Sequence, residues 1–219
     1  MEAKTMKNKI YKTLVYVLGV IPPIVLALLY SKIPDEVPTH WDIDGTVTYS
    51  GKANLWVIAL MGIMFAVLFD VLPKIDPRKE NYKKFNKYYD GFCLSMIAFI
   101  DVMFAIILFE SFAPGKISVT KVVMILIGLL FIFIGNILPK IKNNFYMGIK
   151  TPWTLSNADV WNKTNRLGGK LMFLLGIVVA LSAFLVTEQT AFWILMSGLI
   201  MSTGIPTVMS YIWYRNSVK

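Results

Sequence analysis

Charge is what this sequence has least of. Only 16% of its 219 residues are Asp, Glu, Lys or Arg, against roughly 25% in a soluble domain. That is too little to cover the 56% that are apolar with a water-facing shell. A single cysteine, Cys93, excludes a disulfide framework. A single histidine, His40, leaves no HExxH zinc helix, and no CxxC pair, Walker loop or evident nucleophile–base pair is present. High hydrophobicity excludes an intrinsically disordered chain. The net charge of +9 suggests nucleic acid until the positions of the charges are considered.

What the chain has in abundance is long apolar runs. A hydrocarbon core of roughly 30 Å takes about 20 residues at 1.5 Å each. Six stretches qualify: 13–31, 54–72, 90–112, 122–138, 171–186 and 191–214. No Lys or Arg lies inside the apolar centre of any of them. The first run follows Lys4, Lys7, Lys9 and Lys12, as a signal peptide would. It is too long for such a segment and no A-x-A pattern follows, so it reads as a retained helix. The fold class expected is an all-α integral membrane protein with six transmembrane helices.

Eighteen of the 22 basic residues fall before run 1, between runs 2 and 3, between runs 4 and 5, or after run 6. Basic residues collect on the cytoplasmic side, so both termini are expected there. The charge is then a topology signal with attraction to anionic lipid, and direct nucleic-acid binding is not expected.

Polar chemistry gathers in three places. The outer loop, 32–53, holds Pro38, His40, Trp41, Asp42, Asp44, Gly45 and Lys52. His40 with Asp42 and Asp44 offers ligand types suited to a divalent metal. The alternation over residues 40–44 reads equally as an extended segment with Asp44-Gly45 as a turn, and no metal is assigned. Contact of Trp41 and His40 with a peptide or a lipid headgroup, or a plain cap over the helix ends, also fits.

The 2–3 loop reads as a charged helix, with Asp76 as its cap and Pro77 at the first helical position. Tyr82, Phe85, Tyr88 and Tyr89 recur at helical spacing opposite Lys79, Lys83, Lys84 and Lys87, the pattern of an interfacial amphipathic helix. A docking face for a cytoplasmic protein is the alternative.

The 4–5 loop, 139–170, is the most unusual segment. It runs from Asn143-Asn144 through Gly148 to Gly168-Gly169 and is rich in amides, hydroxyls and aromatics. Ser156 followed by Asp159 is a capping-box pattern. Val160, Trp161, Thr164, Leu167 and Gly168 then share a helical face. This predicts a second interfacial helix entering run 5 through a flexible glycine pair.

Gly148-Ile149-Lys150-Thr151-Pro152-Trp153-Thr154-Leu155, with Trp161, Thr164 and Arg166 at their spacings, resembles the signature of the SdpI family. Those are bacterial immunity proteins against a sporulation-delaying peptide toxin. Pro38-x-His40-Trp41-x-x-x-Gly45 and Lys52 resemble the segment of unknown function usually fused in front. Lys150 stands where arginine is usual, keeping the charge without the planar fork. Asn165 stands where histidine is common, which removes a titratable group. The resemblance divides the chain into an N-terminal hairpin, 1–75, and an SdpI-like four-helix region, 76–219. It implies a protein protecting the cell from a secreted peptide toxin met on the outer side. In signalling members it also implies capture of a transcriptional repressor at the membrane. The signature loop, Asn144 included, is then the candidate partner-binding site.

Asp101 lies near the middle of run 3, where a carboxylate costs several kcal/mol unless it is neutral, paired or facing a cavity. It is expected to be protonated or hydrogen-bonded inside the bundle. Function as a proton- or ion-coupled transporter using Asp101 is the alternative to immunity. Gly176, Ala180, Ala183, Gly198 and Ser202 mark packing faces. Catalysis is not expected, since nothing places a base beside Ser156 or Thr154, and no cofactor is called for. The sequence leaves the oligomeric state open.

Overall fold

The computed structural model describes residues 2–42 and 46–218, with side chains from Ile10 onward. Asp44 and Gly45 lie outside the described residues. The long helices are α1 (Glu2–Leu29), α2 (Leu55–Ile75), α3 (Lys79–Phe112) and α4 (Val119–Ile137), then α6 (Ala158–Leu185) and α7 (Glu188–Val218). Between α4 and α6 sits the five-residue α5 (Pro152–Ser156). Strands β1 (Glu36–Trp41) and β2 (Val47–Gly51) lie between α1 and α2. Among the described residues six helices are long and apolar enough to cross a membrane, and they match the six apolar runs to within two residues at the overhanging ends. The chain is a multi-pass membrane protein.

Two compact units alternate along the chain: residues 1–71 with 90–123, and residues 72–89 with 124–219. In the first, α1 and α2 approach backbone to backbone. A Cβ built on Gly19 would lie 2.9 Å from the carbonyl carbon of Gly62. Above that crossing β1 and β2 pair antiparallel, Glu36 opposite Gly51 and Trp41 opposite Val47, with an irregularity between Pro38 and His40. The hairpin is held by its apolar underside, where Ile33 and Val37 join Leu26, Leu55, Phe104 and Ile107 in one buried cluster. An extended segment, one of the readings open for this stretch, is present at His40 and Trp41.

In the second unit α4 and α6 meet along glycines spaced seven residues apart on each helix. A Cβ on Gly135 would lie 2.5 Å from Phe173 N and 2.6 Å from Gly169 O. A Cβ on Gly176 would lie 2.5 Å from Gly128 O. Lipid chains are as apolar as leucine, so close packing rather than burial from water joins such helices. Met124, Leu175, Val179, Ala183, Ala191 and Leu195 then close a core among α4, α6 and α7.

Both predicted interfacial segments look different in the fold. α3 begins at Lys79, after Pro77, and runs through a non-helical residue, Phe85 (φ −133°, ψ 17°), into the third span. Tyr82, Phe85 and Tyr89 are 6%, 1% and 8% exposed, so these aromatics pack inside the protein instead of lying in lipid. α6 is one continuous helix from Ala158 through Gly168 and Gly169. The pair is not a flexible entry, because Ile149 packs on Gly168 and Pro139 with Gly135 packs on Gly169. Asn157, not Ser156, caps α6, accepting the N–H groups of Asp159 and Val160. The Ser156 hydroxyl bonds the Pro152 carbonyl at 2.6 Å.

Candidate functional site

The signature loop is built by side chains that replace missing secondary structure. Residues 141–151 contain no helix or strand, so their backbone groups need other partners. Asn144, fully buried, is the main one. Its Oδ1 accepts the N–H groups of Tyr146 (2.9 Å) and Met147 (2.7 Å). Its Nδ2 donates to the carbonyls of Lys142 (2.8 Å) and Met147 (2.9 Å). One amide thus closes a turn into Gly148, whose φ of +118° suits glycine alone.

A second clamp comes from the turn before α3. Asp76, 2% exposed, accepts the N–H of Arg78 (2.7 Å), the N–H of Phe145 (2.9 Å) and the Tyr82 hydroxyl (3.1 Å). The Arg78 guanidinium donates to Asn143 Oδ1 and to the Leu155 carbonyl (2.8 Å), and stacks 5.0 Å from the Phe145 ring centroid. Asn81 donates to the Asn143 carbonyl (2.8 Å), and Asn143 to that of Thr154 (3.1 Å). Charge-assisted bonds of this kind are the stronger class, so the turn at 76–78 fixes where the loop lies.

The rest of the signature divides into buried supports and an exposed rim. Thr151 and Thr154 form a reciprocal capping box at the start of α5, with Pro152 at its first position. Thr154, buried, also donates to the Ile149 carbonyl at 3.1 Å, and Thr151 meets Ser210 of α7 at 3.0 Å. Trp161, 1% exposed, donates its indole N–H to the Ile141 carbonyl at 2.9 Å. Asn165 accepts the Ile149 N–H at 2.8 Å and donates to the Trp161 carbonyl at 3.0 Å. Thr164 is buried beside them, its hydroxyl unpartnered among the described residues. The hydroxyls of Thr154 and Ser156 engage backbone carbonyls, which is a structural arrangement.

Lys150, Pro152 and Arg166 are exposed and Trp153 is half-buried. Lys150 Nζ donates to the carbonyls of Phe145 and Tyr146, each at 3.1 Å, closing the turn while keeping its charge at the surface. The Trp153 ring rests against Tyr211, centroids 5.1 Å apart. Phe145 and Tyr146 are 39% and 37% exposed. The loop thus presents a cationic, aromatic edge on a buried amide and hydroxyl frame.

The outer hairpin is a separate site. Pro38 is buried, Trp41 half-buried and His40 exposed. His40 Nε2 lies 3.1 Å from Asp42 Oδ1, and the Thr46 hydroxyl donates to Asp42 Oδ2 at 3.2 Å. Among the described residues no cluster of three potential metal ligands forms. Lys52 anchors the hairpin base: its Nζ reaches Asp35 (2.9 Å) and the Ile33 carbonyl (3.3 Å), and lies 5.2 Å from the Tyr30 ring centroid. A cleft of about 480 Å³ opens beside it, with Thr39, Ser50 and Asn54 above Leu55, Ile58 and Ile107.

Of the two states expected for Asp101, protonated or hydrogen-bonded, the hydrogen bond is not present among the described residues. Both its carboxylate oxygens are shielded from solvent and neither has a partner among the described residues.

The sequence carries no site signal at Arg78, Asn81 or Asn157, and Asp76 reads there only as a cap. Asp76-Pro77 reads as a helix start, but nothing local marks its partner 69 residues away.

Comparison with known proteins bears on this loop directly. Residues 140–210 match the SdpI/YfhL protein family, and residues 17–66 match a domain of unknown function (DUF1648). The chain is 22% identical over 211 residues to the immunity protein SdpI of Bacillus subtilis (strain 168), covering 96% of this chain and 97% of that one. No solved structure matches the chain. The resemblance carried by the 148–155 motif therefore holds: residues 140–210 match the SdpI/YfhL family, within a chain that aligns with an immunity protein over nearly its whole length.

Proposed function

We propose that this protein is a membrane immunity protein that protects its cell from a secreted, membrane-active peptide of the sporulation-delaying class. The observation that carries the proposal is the near full-length likeness to an immunity protein. The one-sided distribution of the basic residues supports a cytoplasmic position for both termini and the 139–170 loop. The hairpin at 36–51 then faces outward, where Trp41 and His40 meet the peptide. The inner edge of Lys150, Pro152 and Trp153 binds a cytoplasmic partner, a transcriptional repressor in a signalling member. Protection on this account is binding and signalling, without catalysis. Expression in a sensitive bacterium should raise survival in the presence of the peptide. Unchanged killing with well-inserted protein would contradict it.

A second function, ion- or proton-coupled transport, is favoured by one observation: the unpartnered, shielded carboxylate of Asp101. Intramembrane acids mark proton and ion paths. In proteoliposomes it predicts a pH-gradient-dependent flux that Asp101→Asn abolishes. A wild type without gradient dependence rules it out.

A further inference from the structure

A groove of about 430 Å³ runs beside the crossing of α4 and α6. Gly135, Asn136 and Pro139 form one side, and Gly169, Lys170, Phe173 and Leu174 the other. The helices touch through glycines here, so no side chain fills the notch alongside.

The groove straddles a polarity boundary. On α6, Asp159, Lys163, Arg166 and Lys170 come first, and no charged residue follows until Glu188. On α4 the chain is uncharged from 122 to 139, and Lys140 follows. Helix surface with this pattern spans the passage from headgroups to hydrocarbon. Phe173 and Leu174, 37% and 57% exposed, give the groove an apolar wall. Lys170 is exposed, with no ion-pair or hydrogen-bond partner among the described residues.

We propose that this groove holds one anionic phospholipid, its phosphate on Lys170 and the Asn136 amide, and an acyl chain along Phe173 and Leu174. Charge selects the occupant. Six Lys or Arg and one acidic residue lie between 139 and 170, which disfavours the cationic headgroup of a zwitterionic lipid. A lysine at the membrane surface attracts anionic lipid with about 1 kcal/mol. The proposal stands independently of the immunity function.

The test is native mass spectrometry of the full chain in detergent, titrated with phosphatidylglycerol and with phosphatidylcholine of the same chain length. One phosphatidylglycerol should be retained in preference to phosphatidylcholine. Lys170→Gln should weaken it about fivefold, whereas Lys163→Gln, an exposed lysine outside the groove, should not. Leu174→Asn should also weaken it without changing charge, and inorganic phosphate should not compete. Equal loss in both lysine variants, equal retention of the two lipids, or competition by phosphate alone would overturn the proposal.

Discussion

The carboxylate of Asp76 accepts the backbone N–H of Phe145 at 2.9 Å, joining residues 69 apart in sequence. The bond ties the turn between α2 and α3 to the start of the signature loop. Arg78, two residues on, bridges Asn143 beside that start and Leu155 at the far end. The loop's surface chemistry therefore depends on a turn that carries none of the family signature.

Asp76→Ala should destabilise the protein by about 3 kcal/mol, because the Arg78 and Phe145 N–H groups lose their acceptor and the Tyr82 hydroxyl keeps only Asn144 Oδ1 at 3.3 Å. Asp76→Asn keeps one acceptor oxygen and should lose less. Thermal unfolding in detergent micelles measures both. An alanine variant as stable as wild type would show that the clamp does not hold the loop.

Gly148 sits at φ +118°, and a Cβ there would lie 2.9 Å from Asn165 Oδ1 and from the Trp161 ring. Gly148→Ala combines backbone strain with a clash and should lose about 2 kcal/mol or more. The loop should also become sensitive to limited proteolysis while the helices survive. Proteolysis unchanged from wild type would contradict that geometry.

The glycine crossing makes a comparative prediction. Gly176→Ala drives a Cβ onto the Gly128 carbonyl and should lose about 1–3 kcal/mol as α4 and α6 separate. Gly51→Ala meets nothing within 4 Å and should be near neutral. Melting temperatures of the two variants, measured side by side, decide the matter.

Lys52 links Asp35, the Ile33 carbonyl and the Tyr30 ring at the base of the hairpin. Lys52→Ala should loosen residues 36–51 by about 1 kcal/mol, seen as faster amide hydrogen exchange in β1 and β2 with exchange in α6 unchanged.

The spans were legible because one physical length, the hydrocarbon thickness, sets them, and a run of apolar residues is a local signal. The hairpin was legible as alternation around His40 and Trp41. The Asp76 and Arg78 clamp was not, since a bond between distant segments leaves no period in either. Tyr82, Phe85 and Tyr89 misled because an aromatic face reads alike whether it meets lipid or protein. Ser156 and Asn157 are both competent caps, and only backbone geometry chooses between them. Gly168-Gly169 reads in sequence as freedom of the chain, but it is space for neighbours. The signal for that was present: Gly128 with Gly135 and Gly169 with Gly176 share a spacing of seven, which places each pair on one helical face. Of the signature itself, Thr151, Thr154, Trp161 and Thr164 are buried supports. The surface falls to Lys150, Pro152, Trp153 and Arg166.

The measurement that tests the account most directly is survival of a sensitive bacterium challenged with the sporulation-delaying peptide, comparing wild type with Trp153→Ala. Trp153 packs against Tyr211 but is not among the buried supports, so the variant should insert and fold. The account predicts that wild type protects and that the variant, present at the same level in the membrane, does not. Full protection by the variant would contradict the role given to the inner loop.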